Sequence, residues 1–191
     1  MLETIAEHTV DISILPEKAR ILDIGCRGFI FANHMIRSGH SVYTVDADPL
    51  VSCTHDYHYN LAITDFNGYV KLIYSNDKQA TRVKPSYDGL PDDCVPAMTL
   101  ESFSKMVKVD LWDVIKIDVE GSELEIIRSL KKAPATQLSI EFHLHTGVYG
   151  ITDVKMMEDK LTLLGYVPIV HDMTKQHGLG LNYWDSLWVL K

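Results

Sequence analysis

Residues 113–130 read DVIKIDVEGSELEIIRSL, and they are the starting point for interpreting the whole chain. The first half is a short, β-branched apolar run, which is typical of a buried strand. Gly121 then lets the backbone turn, and leucine and isoleucine recur at helical spacing after it. Ser122 and Glu125 form the pattern of a capping box, so we expect a helix to begin at this serine. The stretch therefore predicts a strand, a turn and a helix.

The predicted strand also carries three charged side chains at a spacing of two: Lys116, Asp118 and Glu120. Because side chains alternate along a strand, these three share one face and the apolar residues share the other. Charge inside a core strand is costly unless it is paired or borders a cleft. The pattern predicts either a functional cleft at this face or an ion pair of Lys116 and Asp118 with no catalytic role.

Length and composition suit a single globular domain over residues 1–191, with 46% hydrophobic and 23% charged residues. The formal net charge of -8 makes nucleic acid a poor partner, because phosphate backbones attract basic surfaces. No apolar run approaches the roughly 20 residues that span a bilayer, so we expect no membrane partner and no signal peptide. Three widely spaced cysteines do not suggest disulfides and fit a reducing cytoplasm.

The N-terminal half begins with a short amphipathic lead-in at residues 1–18. A strand, a glycine turn, a helix and a second strand follow and form a βαβ unit; they are predicted at 21–24, 29–36 and 42–45. A third strand at 60–64 is expected to form a hairpin with a strand at 69–74 through an Asn-Gly turn. The polar segment 75–95 is predicted to be a substrate loop or lid.

The C-terminal half continues the alternation around the central stretch. Elements are expected at 99–106 (helix), 137–145 (strand), 151–164 (helix), 166–171 (strand) and 186–190 (strand). Alternating strands and helices indicate an α/β fold, with an open, mostly parallel sheet that is covered on both faces. In such sheets ligands bind outside the carboxyl ends of the strands.

A glycine turn, Asp23 to Gly28, ends the first strand of the βαβ unit. Gly25 and Gly28 let the backbone approach a ligand, and Asp46 ends the next strand, where an acid can accept hydrogen bonds from ribose hydroxyls. The G-x-G-x-x-G fingerprint of nicotinamide enzymes is absent, and so is a phosphate loop. An acid before the turn suits a ligand with a cationic amino group, such as S-adenosylmethionine. The alternative is an ordinary turn with a solvated aspartate.

The strand at 137–145 repeats the polar pattern of the central stretch, with Ser139, Glu141, His143 and His145 on one face. If the two strands are neighbours, their polar faces meet at the cleft. Histidine is the natural group to accept a proton from a hydroxyl near neutral pH, so His143 is the predicted base. The alternative is a pair of amphipathic edge strands with one wet face.

Two short segments contain cysteine, histidine or glutamate residues that could bind a metal. Neither Cys53 with His55 and His58, nor Glu141 with the two histidines after it, completes a closed zinc pattern. A hard cation held by Asp118, Glu120 and Glu141 stays open, although a metal is not favoured. The remaining histidines are expected at the surface: His8, His34, His40, His171 and His177.

Several segments resemble the FkbM-like family of S-adenosylmethionine-dependent methyltransferases. The resemblance covers roughly residues 20–190 and is most specific in TLESF followed by DVIKIDVEGSELEII. IEFH at 140–143 and NLAITDFNGYV at 60–70 are similar to further family motifs. Two departures are a first glycine motif one residue shorter, and Asp46-Ala47-Asp48-Pro49 where the family usually has Glu-Pro.

The resemblance implies a Rossmann-like class I methyltransferase fold, with a seven-stranded sheet in the order 3-2-1-4-5-7-6 and an antiparallel last strand. It implies that Asp23, Gly25 and Gly28 hold the methionine part of the cofactor. Asp46 then binds the ribose, and the backbone near Ile63 binds the adenine. The acceptor side is expected to consist of His143 as base, Glu141 as its orienting group or alternative base, and Asp118 and Glu120 beside the sulfonium.

The expected activity is methyl transfer from S-adenosylmethionine to a hydroxyl of a sugar or other small molecule. Two other functions stay open, a nicotinamide-dependent oxidoreductase and a non-catalytic nucleoside-binding module with the same fold. Association into oligomers is compatible with the sequence.

Overall fold

A computed structural model of the chain describes residues 1–74, 81–85, 94–171 and 183–191. Its helices are α1 (Ile30–Arg37), α2 (Leu100–Val107), α3 (Glu123–Ser129) and α4 (Ile151–Leu163). The strands of its main sheet are β3 (Arg20–Ile24), β4 (Ser41–Asp46), β5 (His58–Asn60), β10 (Trp112–Ile117), β11 (Ala135–His143), β12 (Tyr166–His171) and β13 (Tyr183–Leu190). The remaining strands are β1 (Leu2–Ile5), β2 (His8–Asp11), β6 (Ala62–Thr64), β7 (Gly68–Tyr74), β8 (Thr81–Pro85) and β9 (Cys94–Thr99).

The main sheet has the strand order β12-β13-β11-β10-β3-β4-β5. Strand β13 is antiparallel to both of its neighbours, and the other neighbouring pairs are parallel. The α/β class that the alternation predicts is confirmed. Strands β10 and β11 are neighbours, in register from Trp112 opposite Ala135 to Ile117 opposite Ile140. Their polar faces therefore meet, as the sequence pattern required.

A second, four-stranded sheet has the order β6-β9-β7-β8 and corrects two expectations. The predicted hairpin of 60–64 with 69–74 is wrong, because β9 lies between β6 and β7 and pairs with both. Segment 75–95 contains β8 and the start of β9, while its residues 75–80 and 86–93 lie outside the described residues. Pro96 lacks an N–H group, and β9 still forms because Val95 and Ala97 on either side of it are buried.

The N-terminal lead-in is a third correction. Strands β1 and β2 form an antiparallel hairpin whose turn residues, Ala6 and Glu7, both have positive φ. The hairpin packs across the polar side of β11: Asp11 N–H donates to Gln137 Oε1 at 2.8 Å, and Gln137 Nε2 donates back to the Asp11 carbonyl at 3.0 Å. Val10 is fully buried beneath it. The sheet is thus closed on this side by chain that the sequence pattern left unassigned.

Helices cover both faces of the main sheet. Helices α2, α3 and α4 pack on one face, against the apolar residues of β3, β10 and β11. Helix α1 and the N-terminal hairpin pack on the other face, around Ile21, Phe31 and Val114. Thr99 caps α2 as predicted, since its Oγ1 accepts from Ser102 N at 3.1 Å. The capping box predicted for α3 does not form: Ser122 makes no capping hydrogen bond from its side chain.

Candidate active site

The turn after β3 lies in direct contact with the end of β10. Gly25 has a φ of +78°, and a Cβ atom placed on it would lie 1.6 Å from the carbonyl oxygen of Asp118. Gly25 N–H donates to the Val45 carbonyl at 2.8 Å, and Asp118 N–H donates to the Ile24 carbonyl at 3.1 Å. Only glycine fits this joint, which draws together the carboxyl ends of β3, β4 and β10.

A pocket opens at these three strand ends. Its apolar wall contains Val45, Leu61 and Ile63, and its polar wall contains Asp46 and Asp118. An apolar wall with a few polar groups is typical of small-ligand sites. Among the residues predicted from the sequence, the structure brings five to this pocket: Gly25, Asp46, Ile63, Asp118 and Glu120.

Asp46 lies at the end of β4, where the sequence placed a ribose-binding acid. Its Oδ1 accepts a hydrogen bond from Asp48 N–H at 2.9 Å, and burial raises the pKa of its carboxyl group. Asp48 is buried and held by Arg27 Nη2 at 2.8 Å. The longer acidic turn, which departs from the usual Glu-Pro, is thus stabilised by a hydrogen bond and an ion pair of its own.

Two predicted cofactor residues lie outside the pocket. Asp23 is 1% exposed, and its Oδ1 lies 3.0 Å from Lys116 Nζ, which also donates to the Gly25 carbonyl at 2.7 Å. Asp23 therefore acts on the glycine turn through Lys116. Gly28 lines a neighbouring hollow with Arg27 and Asp48.

A buried histidine–carboxylate pair lies beside the pocket residues Asp118 and Glu120. His143 Nδ1 lies 2.7 Å from Glu123 Oε1, and Glu123 has no exposed surface. The same oxygen accepts from Gly121 N–H at 3.2 Å, which holds the carboxylate in place at the start of α3. Glu123, rather than Glu141, is thus the group at hydrogen-bond distance that orients the ring. The sequence placed Glu123 in the family motif without giving it a role.

Carboxylates surround the other nitrogen of this ring. His143 Nε2 lies 3.6 Å from Asp118, 3.7 Å from Glu120 and 3.5 Å from Glu141. Burial lowers the pKa of His143, but the hydrogen bond with Glu123 and the surrounding carboxylates outweigh it and raise that pKa well above its ordinary value. Burial also raises the pKa of the Glu120 carboxyl group.

The pKa values of Lys116 and Asp118, at the end of β10, are shifted in opposite directions. Burial opposes ionisation of both Lys116 and Asp118, but their mutual attraction wins. The pKa of Asp118 is therefore lowered and that of Lys116 is raised, with Asp23 as the largest opposing influence on Lys116. Glu120 has a φ of 53°, a strained value for a side chain larger than glycine. Strain of this kind is concentrated at functional sites.

His8 was expected at the surface and is 1% exposed. The hairpin places its Nε2 3.5 Å from Asp118 Oδ2 and its Nδ1 3.5 Å from Asp185 Oδ1. No local signal could identify it, since its partners lie more than 100 residues away in the chain. The side chain of His145 is not among those that the structure describes.

The Cys53, His55 and His58 set does not gather metal-binding atoms. Both ring nitrogens of His58 already have partners, Thr44 Oγ1 at 3.0 Å and the Val51 carbonyl at 2.9 Å. His55 Nε2 lies 3.1 Å from Asn33 Oδ1. These histidines support the loop after β4.

A sheet of this strand order, with a pocket at the carboxyl ends of β3, β4 and β10 and an acid ending β4, is typical of the Rossmann-like α/β class. Within that class the sequence of residues 29–168 matches the family described as the methyltransferase FkbM domain. The chain belongs to this family. No curated protein is significantly similar to it in sequence.

Solved structures of the same fold are distant in sequence. The fibrillarin pre-rRNA processing protein of Methanococcus jannaschii aligns over 100% of this chain and 70% of its own, with 12% identity and a TM-score of 0.52. The TehB-like SAM-dependent methyltransferase of Corynebacterium glutamicum aligns over 94% and 84%, with 15% identity and a TM-score of 0.47. The ribosomal protein L11 methylase of Lactobacillus delbrueckii subsp. bulgaricus aligns over 94% and 73%, with 13% identity and a TM-score of 0.48.

Within the described ranges, no helix has the length and apolar character needed to cross a membrane.

Proposed function

We propose that the protein transfers the methyl group of S-adenosylmethionine to an oxygen of a hydroxylated small molecule, such as a sugar. Membership of the methyltransferase family supports the reaction class. The observation that carries the proposal is the His143–Glu123 pair, which lies beside Asp118 and Glu120 at the acidic edge of the pocket. Here a candidate proton acceptor adjoins the pocket at the strand ends.

The pocket residues fit this cofactor. The apolar wall, with Leu61 and Ile63, suits adenine, and Asp46 is placed to accept hydrogen bonds from ribose hydroxyls. Asp118 and Glu120 provide negative charge where the positive tail of the cofactor would lie. When bound, S-adenosylmethionine supplies an electrophilic methyl group on a sulfonium.

The chain has two tasks in such a transfer, to position the acceptor oxygen and to remove its proton. We assign proton removal to His143 Nε2 in the neutral form of the ring; because the pKa of His143 is raised, this form becomes available only above the ordinary histidine range of pH, where it is the stronger base. Glu123 fixes the ring through Nδ1 and stabilises the imidazolium that forms when the ring accepts a proton. Glu141 lies 3.5 Å from the same nitrogen and is placed to contact the acceptor.

A small acceptor also agrees with the charge of the protein. The net charge is -8, and the mouth of the pocket is lined by carboxylates. A phosphate backbone would be repelled from such an edge, whereas a neutral polyol would not.

The test is the exchange His143→Ala, measured as S-adenosylhomocysteine production with a panel of sugars and other hydroxylated compounds. We expect the variant to lose turnover by about 10²-fold or more, the scale of general base catalysis, while cofactor affinity is kept. His34→Ala is the matched control, because this histidine is partly exposed, lies on α1 and has Glu3 as the ion-pair partner of its side chain in the described residues. Unchanged turnover of His143→Ala would remove this residue from the mechanism.

The cofactor assignment has its own measurement. Asp46→Ala should weaken S-adenosylmethionine binding in calorimetry by about 1–3 kcal/mol, the scale of a lost charge-assisted hydrogen bond. Unchanged affinity would refute the ribose assignment. Binding of a nicotinamide cofactor in place of S-adenosylmethionine would overturn the proposed function itself.

A further inference from the structure

Three side chains from distant parts of the chain lie close together beside the polar wall of the pocket, near Asp118. His8 comes from β2, Asp118 follows β10, and Glu141 lies near the end of β11. One potential ligand atom of each lies within 4.8 Å of the others. His8 and Glu141 are buried, at 1% and 8% exposure.

The separations within this group are too long for strong hydrogen bonds. His8 Nε2 lies 3.5 Å from Asp118 Oδ2, whereas the two atoms of a hydrogen bond are usually about 2.7–3.2 Å apart. In the described part of the chain, the nearest partner of the Glu141 carboxylate is His143 Nε2, also at 3.5 Å. An ion with bonds of about 2.0–2.2 Å holds its ligand atoms roughly 3–4 Å apart. The separation of His8 and Asp118 is therefore that of two ligands of one ion, and the space between these two groups and Glu141, called the gap below, is where the ion would lie.

The surroundings of His8 point the same way. Its Nδ1 faces Ser139 Oγ at 3.4 Å and Asp185 Oδ1 at 3.5 Å, on the side away from the gap. Metal-binding histidines characteristically use their second ring nitrogen on a carboxylate or similar group, which fixes the ring orientation. Asp185 is itself held by Thr9 N–H at 3.0 Å. The hairpin thus presents His8 Nε2, and not Nδ1, to the gap.

The local charge also calls for a cation. Four carboxylates, from Asp23, Asp118, Glu141 and Asp185, lie around the gap or directly behind it. Within the described ranges, Lys116 is the one lysine or arginine within 4.0 Å of any of them, and it is shared by Asp23 and Asp118. Buried carboxylates are stable when they are paired or bind a metal.

We propose that His8, Asp118 and Glu141 bind one divalent transition-metal ion. One imidazole and two carboxylates suit an ion such as Mn²⁺ or Zn²⁺ better than Ca²⁺, which takes oxygen ligands. Three protein ligands leave positions open for water or for an oxygen of a bound small molecule. The ion would lie next to His143 without using that ring as a ligand.

The test is Mn²⁺ binding to the full chain after treatment with a chelator, without cofactor or acceptor, so that the result does not depend on the proposed methyl transfer. Electron paramagnetic resonance of the free ion gives the affinity and the stoichiometry. We expect one Mn²⁺ per chain, bound more tightly than about 1 mM and displaced by Zn²⁺. Absence of binding in this range would overturn the proposal and would leave His8 as an imidazolium between Asp118 and Asp185.

Variants locate the ion. Asp185→Asn removes a partner of the ligand His8 and should weaken Mn²⁺ binding by about 10-fold or more. His8→Ala and Glu141→Gln remove ligands, and each should weaken Mn²⁺ binding more than that. His34→Ala is the matched control, since this partly exposed histidine on α1 is not one of the proposed ligands, and the variant should bind Mn²⁺ as the parent does. Circular dichroism and thermal melting in chelator confirm folding of each variant. Binding that survives in His8→Ala but is lost in His143→Ala would place the ion at the other group, with Asp118 and Glu120, and overturn the assignment.

Discussion

The exchange Gly25→Ala tests the joint between the glycine turn and the end of β10. An alanine at a φ of +78° costs about 1–2 kcal/mol through backbone strain alone. Its Cβ would also lie 1.6 Å from the Asp118 carbonyl oxygen, a backbone atom, so one of the two strand ends must move. Overpacking of this kind costs about 1–3 kcal/mol or more. We therefore expect the free energy of unfolding to fall by about 2–5 kcal/mol in urea titrations followed by circular dichroism.

Gly28→Ala is the matched control for this exchange. Its φ of +79° is nearly the same, but a Cβ atom there would have no neighbour within 4 Å. We expect this variant to lose only the strain, about 1–2 kcal/mol. The difference between the two variants thus measures the close approach itself. If both lose the same free energy within about 0.5 kcal/mol, the turn and β10 are not in contact as described, and the geometry of the pocket is wrong.

Three further predictions follow from the charges of the site. Lys116→Met should lower the free energy of unfolding by about 3–5 kcal/mol, because it leaves buried Asp23 without a counter-ion; urea titration should show part of the loss recovered when Asp23→Asn is added. Affinity for S-adenosylhomocysteine should fall as pH is lowered towards the pKa of Asp46, which burial raises above the ordinary value of about 3.9, since protonation removes the charged acceptor. Calorimetry should show this fall in the parent and a flat profile in Asp46→Asn; a flat profile in both would contradict the assignment. Glu123→Gln should reduce turnover by about 10²-fold or more while S-adenosylhomocysteine affinity is kept, and equal turnover would show that this carboxylate does not act through His143.

The parts of the fold that were predictable are those with a strong local period. The central strand, turn and helix, the βαβ unit and the polar face of β11 all follow from spacings of two or of three to four residues. That face places Ser139, Glu141 and His143 on the side opposite the apolar core, where the structure also has them. The position of Asp46 at the end of β4 follows from the same reasoning.

The second sheet was not predictable, because its pairing depends on residues far apart in sequence. Strand β9 pairs with β6 on one side and with β7 on the other, and most of its residues lie at or beyond the end of the predicted loop 75–95. A turn signal at Asn67-Gly68 favoured pairing of the two strands that flank it. The apolar residues of β9, which are buried in the small core of this sheet, decided the outcome instead.

The capping pattern at α3 shows how a functional contact overrides a local preference. Ser122 is followed by Glu125 at the spacing of a capping box, but the side chain that binds backbone here is Glu123, which accepts from the N–H groups of Val119 and Gly121 before the helix. A carboxylate with no exposed surface destabilises the fold unless it is paired or hydrogen-bonded, and the Glu123 carboxylate is paired with His143 Nδ1. The sequence does contain a signal for this contact, since Glu123 directly follows the predicted cap residue Ser122.

The N-terminal hairpin explains why charges gather on the wet side of β10 and β11. Without it, Lys116, Ser139 and Glu141 would lie on a solvated face, where such residues cost little and need no partner. With it, that face is buried, and each polar group must be matched by another. The hairpin supplies part of the match through Asp11 with Gln137 and through His8 with Asp118. Closure of the sheet by this segment thus converts an ordinary amphipathic strand pair into a buried site in which protons and cations can be held.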